Sequence, residues 1–361
     1  MKLLSKTLIV FLALPLAVLG NVSPKTGKYT KQKTLKKEFS VNANASLTVD
    51  NSYGNLDIVT WSENRTVIEV NIITNGNDED KVQRKLDEIT VEFSASAGQV
   101  SAKTIFGNQR NSWSWFGNKS NNVSMEVNYT IKMPVTNSVV LSNDYGTINL
   151  NKLRGNARIS CDYGQLRIGE LLADNNLLNF DYTDKSTIGY MKSGKINADY
   201  SGYTLEKTER VEISADYTQS EIGQAKEVNY NCDYGKVTIG NANTITGRGD
   251  YVTNRIGTVY ESLNLNTDYG SIHIDRLTGK TNDVTIRGDY TGIKLGFSPD
   301  YNFDFIVNLS YSNLKGEDAV TVTKTSKDNS DKYYAGYHGK QNSGNMINIS
   351  SNYGGVTFTK N

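Results

Sequence analysis

Apolar and polar residues alternate along most of this chain, and short stretches of the alternation recur at a nearly fixed distance. In residues 157–169, Ile159, Cys161 and Tyr163 are separated by single polar residues, which is the pattern of a half-buried strand. Gly164 interrupts this pattern, and the alternation then resumes in a shifted phase. Each repeat is therefore predicted to hold two short strands joined at a sharp bend, where glycine tolerates backbone angles that other residues avoid.

The dipeptide Asp-Tyr marks each repeat and is usually followed by a small or turn-forming residue. Successive copies between Tyr145 and Tyr311 lie 17 to 21 residues apart. A repeat of this length cannot bury a core alone, but stacked repeats cover one another's apolar faces. The sequence therefore predicts an all-β fold, a single-stranded right-handed parallel β-solenoid with coils of about 17–21 residues. The tyrosines are predicted to form a ladder at one structural corner: Tyr145, Tyr163, Tyr182, Tyr200, Tyr217, Tyr234, Tyr251, Tyr269 and Tyr290.

The stretch before the first regular repeat departs from the coil pattern. One short α-helix is predicted at 78–88, because Asn77 suits an N-cap and Val82 and Leu86 lie on one apolar stripe. Solenoids need caps that hide open sheet edges, and this stretch is predicted to be the N-terminal one. The predicted organisation is a signal peptide (1–20), a basic flexible leader (21–37), N-terminal strands with the helix-bearing cap (38–134), the regular solenoid (135–315), an excursion (316–346) and the last rung (347–361).

The N-terminus indicates export. Lys2 and Lys6 precede an apolar run at 8–19 and small residues, which is the pattern of a secretory signal peptide, and the run is too short to span a bilayer. No later segment is apolar enough to be a transmembrane helix. The predicted location is the periplasm, the cell surface or the secreted fraction.

Charge argues against nucleic acid as a partner. The chain has 39 basic and 38 acidic residues, and loss of Lys2 and Lys6 would give 37 − 38 = −1. A nearly neutral chain lacks the excess of cations that phosphate backbones require. Cys161 and Cys232 are predicted to be free thiols, because four rungs separate them and a disulfide cannot bridge that distance.

The sequence resembles a known family. The stretch 47–58, the helix near residue 80, the motif at 131–134 and the Asp-Tyr-Gly repeats are similar to the bacterial putative-adhesin domain family. The resemblance covers nearly all of the chain after the signal peptide. It implies a secreted or envelope-associated β-solenoid, and it supplies no catalytic residues.

Nine aspartates, each preceding a ladder tyrosine, are the strongest polar feature. Carboxylates about 4.8 Å apart repel one another, so something must offset that repulsion. Each aspartate could cap backbone N–H groups in its own corner, or the row could hold Ca²⁺ between adjacent coils. A third interpretation is an acid cluster of the kind found in pectin-cleaving solenoids. The row is Asp144, Asp162, Asp181, Asp199, Asp216, Asp233, Asp250, Asp268 and Asp289.

Other candidate chemistry is sparse. The two histidines lie in different segments, so neither a catalytic nor a metal-binding histidine cluster is predicted, and no cofactor other than Ca²⁺ is expected. The loop at 107–121 interrupts the repeat with Trp113, Trp115 and Phe116 among small polar residues. Such a mixture suits ligand binding, and the alternative is a hairpin that folds back over the end of the solenoid.

The pattern favours a non-catalytic envelope or secreted protein, an adhesin or a structural binding module. Its partner would be a surface, a glycan or a protein. Two alternatives are a polysaccharide-acting enzyme on a β-helix scaffold and a periplasmic accessory protein of envelope stress or signalling. The oligomeric state is left open.

Overall fold

The computed structural model describes residues 27–107 and 123–361, and these form one 26-stranded sheet with one α-helix. The all-β prediction is confirmed. The first part of the chain contains β1 (Tyr29–Ser40), β2 (Ser46–Ser52), β3 (Leu56–Trp61), β4 (Arg65–Gly76), α1 (Glu79–Glu88), β5 (Ile89–Ser96), β6 (Gln99–Phe106) and β7 (Ser124–Pro134).

The middle of the chain consists of strands in close succession. They are β8 (Ser138–Asp144), β9 (Thr147–Leu153), β10 (Ala157–Asp162), β11 (Gln165–Leu171), β12 (Asn176–Asp181), β13 (Ser186–Asp199), β14 (Gly202–Asp216), β15 (Gln219–Asp233), β16 (Lys236–Asp250), β17 (Thr253–Asp268), β18 (Ser271–Leu277), β19 (Asp283–Asp289) and β20 (Gly292–Phe297). The last part contains β21 (Phe303–Ser310), β22 (Leu314–Lys315), a 3-10 turn (Glu317–Ala319), β23 (Thr321–Asp328), β24 (Asp331–His338), β25 (Met346–Asn352) and β26 (Val356–Lys360).

The middle strands pair in parallel, one repeat apart. Ile196 pairs with Ile213, and Ile213 pairs with Tyr230, so equivalent residues of successive repeats form columns. We call one repeat, taken as the strand segments on both sides of a corner tyrosine, a rung. Within a rung the alternation of buried and exposed residues places isoleucine, leucine and valine columns in one continuous core.

The sheet as a whole is mixed, because antiparallel strands flank the parallel rungs at both ends. At the N-terminal end, β4 pairs antiparallel with β1 and with β7, and β5 forms a hairpin with β6. At the other end, β24 pairs antiparallel with β21 and with β23. These additions cover the ends of the parallel rungs.

Residues 29–37 correct the prediction of a flexible leader. They belong to β1, which pairs with β4 from Tyr29 opposite Gly76 to Ser40 opposite Arg65. Lysines mark this segment because β1 is an edge strand, and charge on an edge discourages pairing with other chains. One lysine has a specific task, since Lys33 Nζ donates to Leu86 O at 2.6 Å and so satisfies a carbonyl in the last turn of α1. The N-cap of α1 is Asp78, one residue after the predicted Asn77, and it accepts from Lys81 N at 3.1 Å.

The C-terminal rung also differs from its prediction. Strands β25 and β26 do not form the last rung in space, because β25 pairs with both β19 and β21, and β26 pairs with both β20 and β22. The rung of β21 and β22 lies beyond them and is followed by the β23–β24 hairpin. The last strands of the chain, β25 and β26, therefore lie between two rungs that precede them in sequence.

Candidate binding surface

Twelve tyrosine rings form one uninterrupted stack along a corner of the molecule. Neighbouring ring centroids are 4.7–5.2 Å apart and the ring planes are within 10° of parallel. The spacing follows the distance between paired strands. The structure places the nine predicted tyrosines here together with three more, in the spatial order Tyr53, Tyr145, Tyr163, Tyr182, Tyr200, Tyr217, Tyr234, Tyr251, Tyr269, Tyr290, Tyr353 and Tyr311.

Each ladder tyrosine adopts the left-handed backbone conformation, with φ between 50° and 61°. That conformation costs a residue with a side chain roughly 1–2 kcal/mol. It turns the ring outward onto its neighbours, and it lets the backbone N–H reach the next rung. Tyr217 N, for example, donates to Asp233 O at 2.9 Å, and Tyr234 N donates to Asp250 O at 2.9 Å. Stacking and these hydrogen bonds offset the backbone strain.

The rings present their edges to solvent and hide their faces. Ten rings with a stacked tyrosine on each side, from Tyr145 to Tyr353 in the stack, are 48–53 % exposed, whereas Tyr311 at the end is 64 % exposed. At the other end Phe106 covers Tyr53 edge-on, with centroids 5.7 Å apart. Within this stack, a ligand that stacks on an aromatic face would therefore find a face free of a neighbouring tyrosine or phenylalanine at Tyr311. Burial, and after it the neighbouring phenols, raises the pKa of Tyr163, Tyr200 and Tyr234 above the ordinary value of 10.

The aspartate row is tied to the backbone of the adjacent rung. Asp216 Oδ1 accepts from Asp233 N at 3.1 Å, and Asp233 Oδ1 accepts from Asp250 N at 2.8 Å. Asp162, Asp181, Asp199 and Asp268 make the same bond. The bond runs to the next rung, and not to the aspartate's own corner as the capping interpretation expected, because the aspartates of paired strands lie side by side. The pKa of Asp144 is raised by burial first and then by Asp162 and Asp50.

Calcium at this row remains a prediction. Within 27–107 and 123–361, no group of three or more His, Cys, Asp or Glu side chains is arranged to hold a metal ion. One carboxylate oxygen of each of the six bonded aspartates already accepts an N–H, which leaves the second oxygen for solvent or a ligand.

A second row lies beside the aspartates and was missed by sequence reasoning. The residue two positions before each aspartate, or before its equivalents Asn352 and Ser310, points outward from the same face of the sheet. These residues pair with one another from rung to rung. Most are asparagine or serine, and all are exposed or half-buried. The signal was present in the spacing from Asp-Tyr. We call this the Asn/Ser row: Ser142, Ser160, Asn179, Asn197, Ser214, Asn231, Asn266, Ser350 and Asn308, with Arg248 and Arg287 within it.

The face that carries this row is continued by a hairpin at each end. Lys103 of β6 pairs with Asp50 of β2 beyond one end of the row. At the other end Tyr333 of β24 pairs with Asn308, and Ser326 of β23 pairs with Tyr333. A concavity of about 290 Å³ opens there, between β21, β25 and the β23–β24 hairpin. We call the outward surface of these strands the Asn/Ser face. It is a long ribbon in which hydrogen-bonding side chains predominate, with Val140 exposed among them.

A polar groove of about 390 Å³ lies away from this face, across the middle of the long strands β13 to β17. It is lined by residues such as Lys192, Arg210 and Glu227. Four of the seven charged residues that line it form ion pairs with one another. Lys192 Nζ lies 2.7 Å from Asp174 Oδ2, and Lys226 Nζ lies 3.5 Å from Glu209 Oε2. The two ion pairs neutralise part of the charge that the groove offers a ligand.

The remaining predicted candidates lie apart from this face or outside the described residues. His273, on β18, has its Nε2 3.1 Å from Asp275 Oδ1. His338, the last residue of β24, has its Nδ1 2.6 Å from Tyr301 O. Trp113, Trp115 and Phe116 fall in 108–122, outside the described ranges, so their binding role stays a prediction.

Cys161 and Cys232 are free and buried, as predicted, and burial raises the pKa of each thiol to about 12. Among the helices in the described part of the chain, none has the length and apolarity to cross a bilayer.

No protein-family model and no curated protein matches the chain. Solved structures similar to it include a putative cell adhesion protein from Clostridium sporogenes, at 12 % identity over 92 % of this chain and 100 % of that one, with a TM-score of 0.20. A putative adhesin from Parabacteroides merdae is 12 % identical over 91 % and 96 %, with a TM-score of 0.34. A putative lipid binding protein from Parabacteroides distasonis is 9 % identical over 90 % and 96 %, with a TM-score of 0.25. At these scores the similarities assign no function to the chain.

Proposed function

We propose that the protein is an exported, non-catalytic binding module whose Asn/Ser face binds a linear glycan without acidic groups. The observation that carries the proposal is the Asn/Ser row itself. Amide and hydroxyl side chains follow one another from strand to strand on a flat surface, and they can donate to and accept from the hydroxyl and amide groups of a polysaccharide. The rest of the protein is a rigid support for this row.

The aspartate row sets the class of glycan. Its carboxylates run parallel to the Asn/Ser row on the same face, from Asp144 to Asp289. Carboxylates accept hydrogen bonds from sugar hydroxyls and repel uronate, sulfate or phosphate groups. Arg158 and Lys195 lie on the same face as Arg248 and Arg287, and together these four positive charges are fewer than the nine carboxylates. An uncharged or amino-sugar polymer fits this surface better than an acidic one.

We further propose that the parallel rungs wind as a right-handed β-solenoid. The constant offset of one repeat between paired residues supports winding, and the crossover preference of parallel strands supports the hand. Export is proposed from the N-terminal signal sequence. Protease treatment of intact cells distinguishes surface display, in which the protein is cleaved, from a periplasmic location, in which it is protected.

Co-sedimentation with insoluble polysaccharides tests the binding proposal. The full-length protein is expected to sediment with cellulose or chitin and to bind the acidic polymer pectate more weakly. A triple variant with Asn231→Ala, Asn266→Ala and Asn308→Ala removes three amides from the row and should lose most of the binding.

The matched control removes three outward-facing threonines from another face: Thr187→Ala, Thr204→Ala and Thr238→Ala. This variant should bind like the unmodified protein. Equal losses in the two triple variants, or a preference for pectate, would contradict the proposal. Melting temperatures of both variants show whether either loss reflects unfolding.

A further inference from the structure

The segment 346–360 forms a complete rung that is out of order in space. The chain first builds β19 and β20, next β21 and β22, and then the β23–β24 hairpin. Only afterwards do β25 and β26 enter the space between the first two pairs. Without this segment, two rungs of the molecule would face each other across a gap the width of one strand.

The segment fills that gap with its whole inner surface. Ile347, Ile349, Val356 and Phe358 are each no more than 2 % exposed. The ring of Tyr353 lies 4.7 Å from that of Tyr290 on one side and 4.7 Å from that of Tyr311 on the other.

Backbone bonds join the segment to both neighbouring rungs. Tyr290 N donates to Asn352 O at 2.8 Å, and Tyr353 N donates to Ser310 O at 2.9 Å. Because both neighbouring rungs pair with the segment, they fix its register. A shift by one residue would turn its apolar side chains outward.

Residues 339–345 form the connection between the β23–β24 hairpin and the segment. It contains two glycines with positive φ, at 68° and 92°. Several hydrogen bonds hold the connection to Asn302 and Asp304. Asn302 O accepts from Ser343 Oγ at 3.0 Å and from Asn345 Nδ2 at 2.8 Å, and Asp304 N donates to Asn345 O at 2.9 Å. Asn342 N and Ser343 N each donate to a carboxylate oxygen of Asp304 at 3.2 Å, and Lys340 N donates to Asn302 Oδ1 at 2.8 Å. These are the contacts that the chain gives up if the connection extends.

We propose that the space between the rungs of Tyr290 and Tyr311 is a strand-acceptor site, and that segment 346–360 of a second copy of this chain occupies it by exchange. The exchanged segment makes the same contacts in the partner as in its own chain, so the exchange costs only the contacts of the connection and the entropy of association. Two copies would then hold each other through one rung each. This inference is independent of the glycan proposal.

Two full-length single-cysteine variants test the exchange. Thr285, on β19 at one side of the strand-acceptor site, pairs with Asn348 of the segment. Paired strands have α-carbons close enough for a disulfide. The variants Thr285→Cys and Asn348→Cys are mixed, co-concentrated and mildly oxidised. If segments exchange, a disulfide joins two different chains at these positions, and mass spectrometry identifies it. The buried native thiols, with their raised pKa, stay unreactive near neutral pH.

The control pair has the same geometry in rungs that cannot be exchanged. Thr246 pairs with Asn264 between β16 and β17. A mixture of Thr246→Cys and Asn264→Cys measures random collision. Several-fold more linked dimer from the first pair supports the proposal, and adding Asp304→Ala to both chains should increase it further. Equal yields from the two mixtures, with and without Asp304→Ala and also after the chains are unfolded and refolded together, would overturn it.

Discussion

Two bends in each rung, the tyrosine corner and the glycine corner, turn the same chain by opposite means. At the tyrosine corner a large side chain takes a strained backbone conformation and is held outside by its neighbours, as Tyr217 is by Tyr200 and Tyr234. The glycine corner is defined here as Gly169, Gly189, Gly223, Gly240 and Gly257. At each of these positions a Cβ would lie 1.9–2.9 Å from a carbonyl oxygen of the preceding rung. Asn151, Glu206 and Asp275 take the equivalent position in other rungs, so the restriction belongs to these five sites. A Cβ on Gly257 would lie 2.2 Å from Gly240 O.

The two corners should therefore respond differently to substitution: the tyrosine corner loses stability in steps, and the glycine corner excludes larger residues sterically. Side-chain contacts hold the tyrosine corner, so each can be weakened separately. Backbone contact surrounds the five glycines, so an added methyl forces the neighbouring carbonyl to move. This difference also explains why so many tyrosines are exposed: they stabilise the corner through stacking, and a ligand is not needed to account for them. In the Asn/Ser row, Asn197 Nδ2 donates to Asn179 Oδ1 at 2.7 Å and so joins those two rungs, and the binding proposal rests on the other members of the row.

The largest effect is expected at the glycine corner. Gly257→Ala should destabilise the fold by about 3 kcal/mol, the upper end of the usual cost of overpacking, because the added methyl meets a backbone carbonyl that cannot rotate away. Urea denaturation measures the loss. Gly292→Ala is the matched control, because nothing lies within 4 Å of a Cβ at that position. Similar losses in the two variants would show that the close approach of backbones is not what requires glycine at this corner.

The tyrosine corner should give a smaller loss that depends on the replacement. Tyr217→Ala removes two stacked pairs, at about 0.5–1.5 kcal/mol each, and should cost about 2 kcal/mol. Tyr217→Gly removes the same pairs but also relieves the strain of the left-handed conformation, so it should cost about 1 kcal/mol less. If glycine proves as destabilising as alanine, the tyrosines are not strained. Tyr311→Ala, with one stacked neighbour, should lose about half as much as Tyr217→Ala.

Sequence reasoning reached the repeat, the all-β class and the ladder because each has a local signature. Asp-Tyr followed by a small residue fixes a bend, and the alternation around Ile159 fixes which residues face the core. Rung order has no such signature. Residues 346–358 carry the same pattern as any other rung, and only the antiparallel hairpin of β23 and β24 sends the chain back to fill the gap.

Two other features depend on partners that are remote in sequence. The lysines of β1 resemble a solvated leader until β4, more than 25 residues later, supplies the other half of the pairing. The aspartate carboxylates bond to the next rung, so their acceptor role cannot be derived from one corner alone. The Asn/Ser row could have been found, because it follows from counting back two residues from each aspartate.

At the aspartate row we expect a loss of about 1 kcal/mol for Asp216→Ala, within the range for removal of a side chain that caps a backbone N–H. The N–H of Asp233 loses its acceptor. Asp216→Asn keeps an acceptor oxygen and removes one charge from a repulsive row, so it should be neutral or slightly stabilising. Thermal melting with and without millimolar Ca²⁺ tests the other interpretation. A large Ca²⁺-dependent rise in Tm that Asp216→Ala abolishes would show that the row holds cations.

The smallest effect concerns the phenol hydroxyls and appears only at alkaline pH. Because the pKa values of Tyr163, Tyr200 and Tyr234 are raised above 10 in the folded chain, first by burial and then by neighbouring phenols, the folded state binds these protons more tightly than the unfolded state does. Their contribution to stability is complete below pH 10 and is lost as the pH rises through the raised values. The triple variant Tyr163→Phe, Tyr200→Phe and Tyr234→Phe keeps the stacked rings and removes the ionisable groups. Its urea midpoint should therefore fall less steeply above pH 10 than that of the unmodified protein. A triple variant that loses stability as steeply as the unmodified protein would show that the stack does not couple to these protons.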